Sequence, residues 1–419
     1  MPYREQIPID RGIDNTAKLL LEGYTYITNR RKRYGRDIFE TRLLGGQKAI
    51  CIAGEEAVKV FYDKEKFIRN GAAPKRVRQT LFGENAIQTM DGDTHQYRKE
   101  LFMSLMTKER LADISELVFR HLEKKINSWQ GQNQVVFYYE IVRVLTSVAC
   151  EWAGVPLRHT ELRKRANQLE ALFDSGGAIG PRHWKGRIAR NSTEIWLKKI
   201  VQQVRAGNLD VAPKTALYEM SWYQDPNGEL LHEQIVAVEL LNILRPIVAI
   251  AVYATFGALA LYEHPLEKER LQTNQDHYIE RFVQEVRRYY PFFPFLTARV
   301  RADFLWKGHD FKKGNLVLLD IYGTNHHPEI WNQPNRFDPD RFLGREDNFY
   351  DFIPQGGGDY YRGHRCPGEW LTIEVMKVCM DFLVNHVEYT VPKQDLYYSK
   401  IRIPSLPSSR FVMSNIKQR

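Results

Sequence analysis

Cysteine is scarce: the 419 residues contain four, Cys51, Cys150, Cys366 and Cys379. They show neither metal-ligand spacing nor a paired pattern. That argues against a disulfide scaffold or a cysteine-rich metal finger and fits a reducing cytoplasm. Met1 to Asp10 contains no apolar signal or anchor segment. The longest apolar stretch, Ile247 to Tyr262, falls short of the ~18 residues that a membrane span requires. It reads as a core helix, so no stable membrane insertion is expected. No Gly/Ser-rich or Pro-rich linker divides the chain and no repeat recurs. Residues 1–419 therefore read as a single unit, and 43% hydrophobic content suffices for a large core. The formal net charge is +9, yet no basic tract is long enough, or interleaved with aromatics enough, for nucleic acid. The excess reads as solvated surface charge that mildly steers anionic substrates.

The chain reads as mainly α with small β-sheets. Asp14 to Arg33 has helical periodicity behind the N-cap candidates Asp14, Asn15 and Thr16. Asp37 to Ala53 alternates around Gly45-Gly46 as a hairpin, and Gly54 to Phe67 reads as a short amphipathic helix. A further helix opens at Asp91. Lys108 to Arg205 is almost wholly helical, with breaks at Gln130–Asn133, Gly154–Pro156 and Ser175–Pro181. Short helices are expected over Thr215–Trp222 and Ile279–Tyr290, and one long apolar helix over Glu233–Tyr262. Strand-like runs lie at Ala302–Trp306, Lys312 and Val317–Tyr322.

The most informative stretch runs from Phe352 to Glu369. Gly356, Gly357, Gly358 and Gly363 allow a tight bend and close approach to a flat partner. Cys366 follows, then Pro367, a residue suited to the first helical position. An apolar run to about Val387 then reads as a helix. At such an N-terminus the unpaired N–H groups favour a thiolate. A thiolate in a Gly-lined loop is what a haem iron needs as an axial ligand. A plain buried cysteine beside a loop is the alternative, but it leaves the glycines, the helix start and the basic His364 and Arg365 unexplained.

Phe352, Gly357, His364, Cys366 and Gly368 resemble the cysteine loop of the cytochrome P-450 superfamily. Extra residues lie between the glycines and the cysteine. That spacing, with Gln355-Gly-Gly-Gly and Gly-His-Arg-Cys-Pro-Gly-Glu, resembles the bacterial fatty-acid peroxygenase branch. The resemblance implies the P-450 fold, with haem b between the long mid-chain helix and the cysteine-loop helix, and Cys366 as metal ligand. Glu285 and Arg288 share a helix face, and the resemblance implies that they lock with Arg341 of Asp338-Pro-Asp-Arg-Phe342. It also implies that His95 contacts a haem propionate, with Lys99, Arg98, His364 and Arg299 as further candidates. A solvated basic face is the alternative for that helix.

The long helix departs from ordinary P-450 monooxygenases. Their mid-helix acid–alcohol pair, which delivers protons, is missing, and Arg245-Pro246 stands in its place. A guanidinium among Leu, Ile and Val is expensive unless neutralised, and Pro246 bends the helix and could aim it inward. Arg245 could also snorkel to the surface or pair with Glu239. In a haem protein without the acid–alcohol pair, a bidentate site for a substrate carboxylate is the better reading. The carboxylate of a long-chain fatty acid then serves as general acid–base for hydrogen peroxide. Only carbons next to the tethered head reach the oxidant, so C2 or C3 is hydroxylated and no reductase is required.

Gln88 stands where the alkene-forming members of the branch carry His. A neutral amide cannot donate a proton as His does, so hydroxylation is expected over decarboxylation to a terminal alkene. Phe82, Phe173, Phe292 and Phe293 are expected to line the substrate pocket. The latter three resemble the C2-hydroxylating members, and plain core packing is their alternative role. A rival of another class is a non-catalytic haem-thiolate fatty-acid sensor. Chain-length preference, stereochemistry and oligomeric state stay open.

Overall fold

A computed structural model describes residues 6–273, 275–346 and 348–419. The body is helical, as expected, and the sheets are small and peripheral. The 31-residue helix Glu233–Glu263 runs through the middle. It is long and apolar enough to cross a membrane, but 89% of its apolar window is buried within the fold, as in a core helix. Its neighbours are the helices Phe137–Ala153, Pro181–Arg205 and Leu162–Asp174, and the cysteine-loop helix Glu369–Asp381. The last approaches closely because position 257 has no side chain. A Cβ on Gly257 would lie 2.5 Å from Met380 Sδ and 2.8 Å from its Cε.

The hairpin forms at the expected place, with strands Ile38–Leu43 and Gln47–Ile52. It belongs to a five-stranded sheet. Leu316–Asp320 adds in parallel to the second hairpin strand, Phe295–Val300 in antiparallel to that, and Phe67–Ile68 at the edge. Phe295–Val300 lies in the aromatic-rich stretch after Pro291, where no strand was expected. A three-stranded sheet of Gln134–Val136, Val412–Gln418 and Val387–Thr390 was not expected either. Gln134–Val136 and Val387–Thr390 are too short for alternation to show, and all of these strands take their character from the partners they pair with. The first helix is interrupted: Thr16–Glu22 and Tyr26–Tyr34 flank a 3-10 turn at Gly23, whose φ of 52° breaks the α path. Gly54–Phe67 forms only Glu55–Phe61 as α-helix.

One boundary bears on the chemistry. The cysteine-loop helix begins at Glu369 with Gly368 as its N-cap, so Pro367 is not its first residue. Cys366 sits in the turn just before, its carbonyl accepting from the Glu369 N–H at 3.4 Å.

Candidate active site

The cysteine loop is bolted from two sides. Arg288 donates to both oxygens of Glu285, at 2.6 and 2.7 Å, with both side chains fully buried. Glu285 also accepts from Arg341 Nε at 3.2 Å and from the Asp338 N–H at 2.8 Å. The spare guanidinium donors go to the carbonyls of Asn325, Pro334, Arg336 and Asn332. The geometry has the form of a lock, tying helix Tyr278–Tyr289 to the segment before the loop.

A second lock escaped the sequence reading. Arg287, one position before Arg288, donates to Glu369 Oε1 at 2.5 Å and to Gln355 Oε1 at 2.9 Å. Glu369 takes Arg365 Nε at 2.6 Å on its other oxygen. Burial disfavours the Glu369 charge, yet Arg287 and Arg365 hold its carboxyl below the usual range. With its oxygen on Arg287, the Gln355 amide turns its nitrogen to Cys366 Sγ at 3.7 Å and Thr372 Oγ1 at 3.0 Å. The one available clue was that Arg287 and Arg288 are adjacent, so they must point to different partners.

The glycines meet real constraints. Gly356 and Gly358 have φ of 94° and 74°, and a Cβ on Gly357 would lie 2.7 Å from the Phe349 carbonyl oxygen. The thiol does not owe its state to the helix terminus alone. Burial pushes Cys366 up, opposed by Lys99, the Gly368 N–H and the Gln355 amide.

The basic residues expected around a propionate divide. The His95 and His364 rings pack against each other, 3.9 Å between centroids and tilted by 34°. Burial pushes them down to about 3 and about 4, so both rings are neutral. Arg69, not singled out in the sequence, joins them. It is buried over the Phe61 ring at 4.2 Å, and its backbone N–H holds Asp91, whose carboxylate lies 3.7 Å from His364 Nε2. Lys99 donates to the Arg365 carbonyl at 2.5 Å, and burial pulls it down to about 8. Arg98 is committed elsewhere, to Glu239 Oε1 of the long helix at 2.7 Å. Arg299 donates to the carbonyls of Gly71 and Gly314 at 2.7 and 2.9 Å.

The Arg98 contact decides the alternatives for Arg245. Glu239 takes Arg98 and the Ile87 N–H, the latter at 3.0 Å, on Oε1 and Asn242 Nδ2 at 3.1 Å on Oε2, with no bond to Arg245. Arg245 is 7% exposed, so it neither snorkels nor pairs with Glu239. Among the described residues its side chain makes one hydrogen bond, Nη2 to Asn242 Oδ1 at 3.3 Å, and its Nε is buried without a partner. Among the described residues it has no carboxylate. Burial pulls it down to about 9, with Arg190 adding repulsion and Cys366 attraction. Pro246 leaves the helix continuous but removes the N–H that would meet the Asn242 carbonyl. Gln88 Oε1 is likewise buried without a partner. Phe292 stacks on Tyr253 of the long helix at 4.4 Å and touches Phe293 at 5.6 Å, and Phe173 is buried on helix Leu162–Asp174. The Phe82 carbonyl accepts from Asn242 and Arg190, both at 3.0 Å.

A cytochrome P450 family model matches residues 269–407. Cytochrome P450 26A1 of Xenopus laevis is 24% identical over 380 residues, 82% of this chain and 77% of that protein. The solved structure of cytochrome P450EX alpha (CYP152N1) with myristic acid is 47% identical at a TM-score of 0.96, covering 99% of this chain and 100% of that one. A variant of cytochrome P450SP alpha (CYP152B1) is 44% identical at 0.95, covering 97% and 100%. Ligand-free cytochrome P450 OleT is 36% identical at 0.96, covering 99% of each chain.

Proposed function

Because the chain belongs to the cytochrome P450 family, we propose that it hydroxylates long-chain fatty acids beside the carboxylate with hydrogen peroxide, at C2 in preference to C3. The observation that carries this reading is a buried guanidinium, Arg245, with no carboxylate among the described residues. An uncompensated buried charge is costly, and a carboxylate-bearing ligand removes that cost.

The residues present fit the family's cofactor, haem b. Cys366 offers a sulfur that already takes an amide donor. A Cβ on Gly356, Gly357 or Gly358 would meet Tyr62, Phe349, Ile353 or Val58, so the glycines let the loop fold tightly onto its own support and present Cys366. The buried Arg69, His95 and Lys99 and the half-buried His364 gather donors suited to propionates. When bound, haem with a Cys366 thiolate supplies the C–H-oxidising chemistry of the reaction.

The chain's own residues determine which carbon reacts and where protons go. Arg245 offers a planar fork that grips both carboxylate oxygens. Asn242 holds one arm of that fork, and Pro246 stops the helix from closing a hydrogen bond at the same turn. The gripped carboxylate takes a proton from hydrogen peroxide and returns it to the oxygen that leaves as water. The balance is R–CH2–COOH + H2O2 giving R–CH(OH)–COOH + H2O: one C–H and one O–O bond break, and a C–O and an O–H bond form. No electron donor enters this balance, so no reductase is required. Phe82, Phe173, Phe292 and Phe293 pack the acyl chain, and the tether leaves only the first carbons within reach. Gln88 has a neutral amide, which lacks the transferable proton of a histidine and favours hydroxy acid over terminal alkene.

The test is product analysis with myristic or palmitic acid and hydrogen peroxide, with no reductase present. The expected product is the 2-hydroxy acid, and Arg245→Ala should lose at least about 100-fold in kcat/KM, since a charged hydrogen-bonding partner is removed. Wild-type turnover by Arg245→Ala overturns the reading. Spectral binding of fatty acid with no oxidation would favour the sensor.

A further inference from the structure

Glu239, Asn242 and Arg245 recur every three residues on the long helix and share a face. Asn242 is the neutral member between two buried charges. Its Nδ2 donates to Glu239 Oε2 at 3.1 Å and to the Phe82 carbonyl at 3.0 Å, while its Oδ1 accepts from Arg245 Nη2 at 3.3 Å. Both amide hydrogens face acceptors and the oxygen faces a donor, so the partners set the orientation of the group.

The surrounding charges are already matched. Arg98 balances Glu239. Arg190, whose charge repels Arg245, pairs with Glu194 and donates to the carbonyls of Leu81 and Phe82. Among the described residues, Arg245 is left with a tether and no counter-charge. An amide is the side chain that produces this state. A leucine of similar shape would drop the tether. An aspartate could meet Arg245 as an ion pair, supply the missing charge from inside the protein and repel an anionic ligand.

We propose that Asn242 is a positioning residue that keeps Arg245 both aimed and uncompensated, so that the carboxylate of the incoming fatty acid completes the site. The proposal rests on the reading of Arg245 given above. It makes position 242 a determinant of selectivity for acids over esters and alcohols. The neutral amide leaves room for one more negative charge, and a carboxylate there would use that room.

The experiment compares the wild-type holoenzyme with Asn242→Asp, Asn242→Leu and Arg245→Ala. Each is titrated with palmitic acid and with methyl palmitate while the Soret band is followed, and haem content and thermal melting are recorded. Asn242→Asp should weaken palmitic acid on the order of 10- to 100-fold, the worth of a charge-assisted contact. Methyl palmitate should change little, and KM should rise more than kcat falls. Asn242→Leu should weaken the acid on the order of 3- to 10-fold, as for one neutral hydrogen bond. If Asn242→Asp does not take up haem, Asn242→Leu decides alone. Acid binding within about twofold of wild type in the deciding variant, while Arg245→Ala loses it, overturns the role of Asn242 and leaves Arg245 standing. Equal losses for acid and ester overturn it as well, since that is a packing defect. Unchanged acid binding in Arg245→Ala overturns the underlying reading instead.

Discussion

Arg98→Ala tests whether the charge pattern of the long helix is as delicately matched as the distances indicate. Arg98 Nη1 meets Glu239 Oε1 at 2.7 Å, with the side chains 6% and 1% exposed. Removing one partner of such a buried pair costs about 3–5 kcal/mol, because the other charge is left uncompensated. Glu239 would keep the Ile87 N–H at 3.0 Å and the Asn242 amide at 3.1 Å, which places the loss at the lower end, about 3 kcal/mol. The loss should depend on pH. Burial already raises the Glu239 carboxyl above its ordinary value, and without Arg98 it rises further. An acid raised by folding contributes stability that is fully present below its unfolded pKa and is lost as pH rises through its folded pKa. The deficit of Arg98→Ala should therefore be larger near pH 8 than near pH 5. Urea unfolding followed by circular dichroism at both pH values measures it. Adding Glu239→Gln to Arg98→Ala removes the orphaned charge and should recover about 1–2 kcal/mol at the higher pH. A deficit independent of pH, or a double variant no more stable than the single one, refutes the reasoning.

Asp320 is fully buried, and burial pushes its carboxyl up to about 6, although the Gly323 N–H and the Thr28 hydroxyl bond to it. By the same sign rule its contribution is present at low pH and lost as pH rises through about 6. Asp320→Asn should then melt higher than wild type near pH 8, by on the order of 1–3 kcal/mol, and equal it near pH 4. Glu285→Gln should destabilise by about 3–5 kcal/mol, because Arg288 and Arg341 lose their shared counter-charge. Denaturant midpoints and haem retention measure it together. Gln88→His should raise the terminal-alkene share of the products from palmitic acid, read by gas chromatography; an unchanged product ratio removes Gln88 from the account.

The helical body and the cysteine loop were legible because their signals are local. Glycine followed by Cys366, the Glu285–Arg288 spacing and the long apolar run each occupy a few turns of chain. The short strands at 134–136, 295–300, 387–390 and 412–418 were not legible, since so few residues acquire strand character only against partners outside their own segment. The basic residues near His95 show the same division. From the sequence, Arg98 and Lys99 were equivalent neighbours. In the fold one points to Glu239 and the other to the carbonyl before Cys366, because adjacent helical positions diverge by about 100°.

Residue type and order alone determined that a cysteine follows a glycine bend, that an arginine–proline step stands inside a long apolar run, and that the core is helical. These are properties of covalent order and periodicity. The tertiary structure decided which charges neutralise which. Glu239 could have balanced Arg245, and it balances Arg98 from another helix instead. Charge compensation is a matter of distance and desolvation between segments far apart in the chain, so only packing could leave Arg245 buried without a carboxylate among the described residues.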